Sequence, residues 1–224
     1  MNAERKHRER SNSEQAIMEA AEELFLENGY SKTTTTMIAA RAGVTHAMLH
    51  YYFRTKEHIF IKVVDKYMDE LLDSFQPLMR KQAPFWETLE TGISTHFDFL
   101  LKHPSLPAFL YDTLRYNPEL IESWMGRITG TLRRIALFHG ELIRKEMDAG
   151  RIRRVDPVQL MLDIVTLNIS PFLLLPAVRN MVDGTGGGRL SGIMEGRKAE
   201  IIALIRARLY GDDINYSHDE GKQN

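Results

Sequence analysis

Apolar residues recur along almost the whole chain at spacings of three and four residues. This is the period of an amphipathic α-helix, and no stretch alternates with the period of two that a half-buried strand needs. The pattern therefore predicts an all-α protein. The first helix is expected from about Ser13 to Asn28, where Asn28-Gly29 ends it.

Three further helices are expected before residue 80. The threonine run at 33–36 opens a short helix 2, which Gly43 ends. Thr45 can cap helix 3, and Thr55 can cap helix 4, which continues to about Arg80. The later helices, which bring the total to about nine, are predicted at about 84–102, 104–116, 118–149, 156–181 and 195–210.

Two prolines and a change in helix length indicate how the rest of the chain is divided. Asp156-Pro157 is a good helix start, and Pro171 should kink or break the helix that follows. Because the helices are short and tightly turned only near the N-terminus, we expect a small domain over residues 1–56 and an all-α body over 57–211. Residues 212–224 are predicted to be a polar, frayed tail.

Helices 2 and 3 form a candidate helix-turn-helix. They are joined by Ala42-Gly43-Val44, and glycine tolerates the positive φ that a sharp reversal often needs. In such motifs the second helix can lie in the DNA major groove. The small and apolar residues at the turn are structural needs, however, and would look the same whatever the motif bound.

The charge pattern favours a DNA-facing surface. No acidic residue occurs from Asn28 to Lys56, whereas the first helix carries five glutamates. A phosphate backbone repels carboxylates, so this gap is the electrostatic footprint expected of a nucleic-acid interface. The stretch and the arm before helix 1 also carry basic residues, namely Lys32, Arg41, Arg54, Lys56, Arg5, Lys6, Arg8 and Arg10.

Helix 3 offers base-reading side chains once its inner residues, Leu49 and Phe53, are assigned to the core. His46 and His50 stand at i and i+4, hence on one face, and histidine can donate to or accept from base edges. The pair could instead hold a metal, but no HExxH pattern or third carboxylate ligand lies nearby. The adjacent tyrosines could partly be packing, and the threonine run could be only a cap and turn.

Residues 13–60 resemble the DNA-binding domain of the TetR family of bacterial transcriptional regulators. The resemblance is carried by "AIMEAAEELFLENGY", "TTTTMIAARAGV" and "THAMLHYYFRTKEHIF". One departure is His50, which stands where the family commonly has tyrosine, so we expect an altered operator preference and DNA binding that responds to pH. The resemblance implies phosphate contacts from Thr34, Thr35, Tyr52 and Lys56. It implies groove contacts from Thr36, His46, Ala47, Met48, His50 and Tyr51.

The family's fold also implies a homodimer, in which the last two helices of each subunit form the interface. The sequence allows this, because helix 9 is short and apolar on more than one side. The alternative is an intrachain core alone. The apolar residues of these two helices include Leu160, Ile164, Leu167, Phe172, Leu175, Ile201, Ile202, Leu204, Ile205 and Leu209.

The C-terminal body is expected to hold a regulatory site, since an apolar cavity with a few polar groups is the usual small-molecule site. Aromatic residues at helical spacing are more often core than site. The residues we select as lining are Tyr111, Trp124, His139 and Asn168.

Composition narrows the functional classes. The 224 residues carry a formal net charge of −1 and no cysteine, which excludes disulfides, thiol nucleophiles and cysteine-ligated metals. The charged N-terminus is unlike a signal peptide, and the longest apolar run, "ISPFLLLPAV", is about half a membrane span. The segment at 184–188 lacks a P-loop lysine, and no catalytic motif appears. We expect a cytoplasmic protein that is not an enzyme, with no metal, cofactor or membrane partner.

Together these features predict a homodimeric transcriptional regulator. We expect it to repress from a near-palindromic double-stranded DNA operator and to leave that operator on binding a small molecule, with helix 4 as the lever. Two alternatives remain open: an all-α ligand-binding or enzymatic protein with a vestigial helix-turn-helix, and a DNA binder without a ligand.

Overall fold

The computed structural model describes residues 2–80, 83–183 and 189–211. Within them it contains nine α-helices and no strand, as the all-α prediction requires. The polar tail predicted at 212–224 and the glycine-rich segment at 184–188 lie outside the described residues. The helices are α1 (Asn2–Lys32), α2 (Thr35–Arg41), α3 (His46–Phe53), α4 (Lys56–Arg80), α5 (Phe85–Lys102), α6 (Leu106–Tyr116), α7 (Pro118–Asp148), α8 (Pro157–Asp183) and α9 (Arg189–Tyr210).

The first helix begins at Asn2, well before the predicted start at Ser13. The residues between them are strongly polar and carry no apolar stripe, but they contain no proline or glycine and several good helix formers. The interruption expected at Gly29 is present, because this residue has φ 77° and ψ 165°, and the chain then resumes helical geometry as far as Lys32.

Side-chain caps fix the starts of the helices that follow. The Thr45 hydroxyl accepts a hydrogen bond from the Met48 amide at 3.2 Å, and the Thr55 hydroxyl accepts one from the His58 amide at 3.1 Å. Each cap satisfies a donor that the first helical turn leaves unpaired. Both predicted caps are confirmed.

The start of α8 is also capped as predicted. Asp156 Oδ1 accepts hydrogen bonds from the amides of Val158 and Gln159, at 2.8 and 3.0 Å. The helix then continues past Pro171 to Asp183, so of the two outcomes expected at this proline, a kink or a break, the break does not occur.

One compact unit comprises Met1–Gln82 and Asp98–Thr131. At its core Phe25 of α1 stacks on Phe109 of α6 with ring centroids 6.1 Å apart and contacts Phe60 of α4 edge-on at 6.2 Å. These aromatic contacts hold α1 to α4 and α6.

The second compact unit comprises Ala83–Phe97 and Leu132–Asn224. Its core is apolar, and α8 and α9 pack against each other there. Packing thus assigns α4 and residues 98–131 to the N-terminal unit, whereas the predicted domains 1–56 and 57–211 were drawn where the helices lengthen. Two of the three boundaries between the units fall inside helices, in α5 and α7.

Candidate nucleic-acid interface and ligand site

One side of α3 is buried in the protein core, and its other side is exposed. Leu49 and Phe53 are buried, with exposed fractions of 0% and 1%. The residues selected for groove contact from this helix, His46, Ala47, Met48, His50 and Tyr51, are all exposed, and Tyr52 is half-buried. The helix is therefore anchored through one side, and its other side is available to a partner.

The turn before α3 has the geometry that its glycine suggests. Gly43 adopts φ 66°, the left-handed region that favours glycine. The amide of Val44 returns to the carbonyl of Ala39 at 3.0 Å, which closes the reversal. Helices α2 and α3 therefore meet through a short turn of the helix-turn-helix kind.

The threonine run divides into structural and available side chains. Thr33 is fully buried, and its hydroxyl lies 3.0 Å from the Leu24 carbonyl and 2.9 Å from the Gly29 carbonyl. Thr34 caps α2 by accepting from the Met37 amide at 3.2 Å. Three of the run, Thr34, Thr35 and Thr36, keep exposed or half-exposed side chains at the start of α2.

Two histidines of α3 form a linked polar cluster with a threonine of α2. The rings of His46 and His50 meet edge to face with centroids 4.4 Å apart. His46 Nε2 lies 3.0 Å from Thr35 Oγ1, and His50 Nδ1 lies 2.9 Å from the carbonyl oxygen of Arg54. Both imidazoles are thus held in place by the protein itself.

Lys56 is more occupied than the sequence suggests. Its ammonium donates to the carbonyls of Tyr30 and Thr33, both at 3.0 Å, and lies 4.0 Å from the centre of the Tyr30 ring. Partial burial lowers its pKa. An ammonium has three donors, so one remains for a phosphate oxygen.

The basic character of the interface is also reduced by α1. Arg41 forms ion pairs with Glu23 at 2.9 Å and with Glu27 at 3.4 Å, and these hydrogen bonds raise the guanidinium pKa. The absence of carboxylates along the sequence is therefore not an absence in space. Among the described residues, Lys32 and Arg54 make no ion pair and remain the cations of this segment best placed to meet a polyanion.

Two of the four selected ligand residues lie in the first unit. Tyr111 is 51% exposed on α6. Trp124 of α7 is buried, and its indole N–H donates to Asp65 Oδ1 of α4 at 3.2 Å, while Arg127 pairs with the same carboxylate at 2.9 Å. Trp124 therefore ties α7 to α4.

The other two lie in the second unit. His139 is half-buried, and burial lowers its pKa. Asn168 of α8 is fully buried, and its amide nitrogen lies 3.1 Å from both the Ile93 carbonyl and His96 Nδ1. Its oxygen, Oδ1, has no hydrogen-bond partner among the described residues.

His96 is a candidate that our selection of lining residues omitted. Burial lowers its pKa to about 4, so the ring is neutral at physiological pH. Its contact with Asn168 joins α5 to α8 inside the second unit. The available signal was a polar residue on the apolar face of α5, beside Ile93, Phe97 and Leu100.

Comparisons with known proteins agree with this architecture. Residues 17–63 match the family model described as "Bacterial regulatory proteins, tetR family". The fatty acid metabolism regulator protein of Bacillus subtilis (strain 168) is 33% identical over 124 residues, which are 52% of this chain and 64% of that protein. The transcriptional regulator QacR of Staphylococcus aureus is 37% identical over 121 residues, which are 52% and 63% of the two chains.

Solved structures share the fold over most of the chain. The fatty acid degradation regulator FadR from Bacillus halodurans matches with a TM-score of 0.64 and 20% identity, over 87% of this chain and 96% of that one. FadR from Bacillus subtilis in complex with stearoyl-CoA matches with a TM-score of 0.61 and 23% identity, over 84% and 97%. At this identity the structures show a common fold.

The sequence matches to the first curated relatives span less than two thirds of those proteins' lengths, between 38% and 64% for the four strongest. These relatives are named as regulators. Residues 17–63 carry the segment by which the tetR family of bacterial regulatory proteins is recognised, and the chain shares its fold with solved regulators.

Proposed function

We propose that this protein is a homodimeric transcriptional repressor that binds a near-palindromic DNA operator and leaves it on binding a small molecule. The observation that carries the proposal is the arrangement of α3. Leu49 and Phe53 anchor the helix, and Gly43 turns it away from α2. Its remaining side chains include no carboxylate, and all of them except the half-buried Tyr52 are exposed. These are the requirements of a helix that enters a major groove.

In this proposal contacts to phosphates and to bases come from different parts of the motif. Thr34, Thr35, Tyr52 and the remaining donor of Lys56 bind phosphate oxygens and set the register. Base edges are read by the groove-facing residues, which are Thr36, His46, Ala47, Met48, His50 and Tyr51.

The dimer is proposed to form through α8 and α9. Several apolar residues predicted from sequence for these helices, including Leu160 and Ile205, are buried within the subunit and belong to its own core. A second apolar stripe remains uncovered on α8, formed by Val158, Leu162 and Val165, which are 64%, 52% and 38% exposed. Their i, i+4, i+7 spacing places them on one face, as a partner helix requires.

The same stripe accounts for the membrane-like composition of α8. Residues Pro157–Leu174 are long and apolar enough to cross a bilayer by length and composition, and they form the one such segment among the described residues. Only 28% of this segment is buried within the subunit. A second copy packed on the stripe would cover the exposed apolar surface without a membrane.

The ligand site is proposed to include the polar pair His96 and Asn168. The buried Oδ1 of Asn168 lacks a partner, and a buried unpaired acceptor costs about 1–3 kcal/mol, which a ligand donor would offset. The surrounding residues of α5 and α8 are apolar, and Phe97 contacts Phe172 with ring centroids 5.7 Å apart. We therefore propose a largely apolar ligand with one polar group. An acyl compound such as the stearoyl-CoA held by FadR of Bacillus subtilis is one candidate of this class.

Release is proposed to act through α4. Lys66 and Tyr67 bind Glu22 of α1, at 2.6 and 2.5 Å. Farther along α4, Glu70 accepts from Lys102 at 2.7 Å and contacts His103 at 2.9 Å. This helix therefore holds both the DNA-binding helices and later parts of the chain. A ligand that favours an arrangement with mismatched recognition helices weakens DNA binding by its differential affinity alone.

The test is selection of bound sequences from random duplex DNA by the wild type and by Leu162→Glu. We expect the wild type to select a motif with two inverted half-sites, and the variant, unable to cover a charged stripe, to select one half-site or none at the same protein concentration. Leu114→Glu is the matched control, because Leu114 is 51% exposed on α6. It should select the wild-type motif. No enriched sequence with folded wild type at low salt would contradict the proposal.

A further inference from the structure

The hydrogen bond between His50 and Arg54 fixes which nitrogen of the His50 ring carries the proton. His50 Nδ1 lies 2.9 Å from the carbonyl oxygen of Arg54. A carbonyl oxygen only accepts, so Nδ1 must donate. In the neutral ring the other nitrogen, Nε2, is then a lone-pair acceptor.

The ring is held in this orientation before any DNA arrives. The backbone amide of Arg54 donates to the His50 carbonyl at 3.1 Å, so the two residues are joined by both a backbone and a side-chain hydrogen bond. Arg54 has φ 41°, which places its carbonyl beyond the end of α3 rather than along the helix. On another side the His46 ring packs against the His50 ring edge to face.

The acceptor nitrogen is available. His50 is exposed on α3, and Nε2 has no hydrogen-bond partner among the described residues. The major groove offers this acceptor two donors, the exocyclic amino groups N6 of adenine and N4 of cytosine. Guanine and thymine present acceptors at the corresponding edges, so either of them would leave two acceptors facing each other.

We infer that His50 is a specificity determinant that reads the exocyclic amino group of adenine or cytosine through Nε2, once in each half-site, whereas the exposed His58 of α4 lies outside the proposed contacts and reads no base. The inference rests on the proposed function, because it requires α3 to lie in the major groove. It goes further by giving the chemical class of base that this position accepts. The tyrosine common here in the family carries a hydroxyl that donates or accepts, so it would not impose the same restriction.

A purely structural role for His50 is the competing explanation. The bond to Arg54 closes the turn between α3 and α4 and would do so without DNA. A structural role predicts that replacing His50 weakens binding to all duplexes alike. A reading role predicts that the replacement removes the dependence on one particular amino group.

The first measurement concerns the ring itself. The ¹⁵N chemical shifts of His50 in labelled protein above pH 7.5 should show a protonated Nδ1 and an unprotonated Nε2. A protonated Nε2 would overturn the inference while leaving the proposed function intact.

The second measurement uses duplexes that carry the motif selected by the wild type. Each adenine is replaced singly by purine, which lacks the N6 amino group, and each cytosine by pyrimidin-2-one, which lacks the N4 amino group. At one position per half-site, removal of the amino group should weaken binding by the wild type about three- to tenfold more than it weakens binding by His50→Ala, as expected for one lost hydrogen bond. Weakened base pairing affects both proteins and cancels in this comparison.

Two further variants keep the outcome interpretable. His58→Ala, at an exposed histidine of α4 outside the proposed contacts, should retain the wild-type dependence on that amino group. His50→Phe preserves a ring packed against His46 but has no ring nitrogen. It should therefore show no dependence on the base amino group, and it serves as the test if His50→Ala folds poorly. The inference is overturned if every position affects the wild type and His50→Phe equally. Failure of the wild type to select any sequence would instead overturn the proposed function, and the inference with it.

Discussion

The largely buried side chain of His96 makes the free energy of unfolding of the protein depend on pH. Burial lowers its pKa from 6.5 to about 4, and the amide of Asn168 meets its Nδ1 atom at 3.1 Å. Protonation of the folded protein therefore requires a charge to be placed in an apolar interior beside an amide donor. In the unfolded chain the same ring is hydrated and takes up a proton near pH 6.5.

This difference predicts the direction of a pH effect. Below pH 6.5 the unfolded state binds more protons than the folded state. The free energy of unfolding is therefore highest, as far as His96 is concerned, above pH 6.5, and it falls as the pH drops towards 4. We expect about 2 kcal/mol of the free energy of unfolding to be lost between pH 7 and pH 5 through this residue. Urea titrations at fixed protein concentration should show the loss in the wild type and a smaller loss in His96→Gln.

The exposed His58 provides the control for that measurement. His58→Gln should keep the full pH dependence of the wild type. An identical pH dependence in the wild type and His96→Gln would show that the ring is not held neutral by the interior.

Residue-level contacts were the part least visible in the sequence. The caps at Thr45 and Thr55 could be predicted because a cap depends only on neighbouring residues. The partners of Arg41 and Lys56 could not, since they lie on α1, 14–26 positions earlier in the chain. The stretch without carboxylates thus indicated a basic surface. It did not indicate that some of the basic side chains on this surface are already paired within the protein.

At the scale of elements, the turn between α2 and α3 sets the placement of the recognition helix. Gly43 has φ 66°, and a Cβ added there would meet nothing within 4 Å. Any cost of a side chain at this position is therefore conformational rather than steric. The left-handed conformation costs an ordinary residue roughly 1–2 kcal/mol.

Replacing glycine by alanine at two positions should therefore have opposite effects. Gly43→Ala should lower the free energy of unfolding by about 1 kcal/mol. Gly126→Ala should raise it by about 0.5–1 kcal/mol, because Gly126 lies within α7, exposed and with nothing within 4 Å of an added Cβ. Urea unfolding of both variants would measure the difference, and equal changes of the same sign would contradict the conformational explanation.

Helix lengths illustrate where periodicity stops being informative. The start of α1 at Asn2 was missed because an entirely polar segment has no apolar stripe to reveal its period. The helix predicted at 156–181 does run past Pro171, so the break that this proline allowed is not realised. Phe172 beside it is 6% exposed, and tertiary packing there outweighs the local penalty of proline.

At the scale of the whole molecule, the account depends on two copies acting together. A single α3 contacts a few base pairs, which gives too little discrimination for an operator, and a dimer doubles the contacts. In the proposed dimer, the uncovered stripe on α8 would provide the self-complementary surface that a two-fold interface needs. The family and the all-α fold could be read from the sequence, whereas this stripe could be separated from the subunit core only with the structure.

The most direct test of the central claim is a comparison of two duplexes that differ only in the spacing of their half-sites. One carries the selected palindrome, and the other has five base pairs inserted at its centre, which rotates the second half-site by about half a helical turn. The account predicts that the wild type binds the spaced duplex no more tightly than a single half-site, because both copies of α3 cannot then lie in facing major grooves. Equal affinity for the two duplexes would contradict a dimer that reads DNA through paired recognition helices.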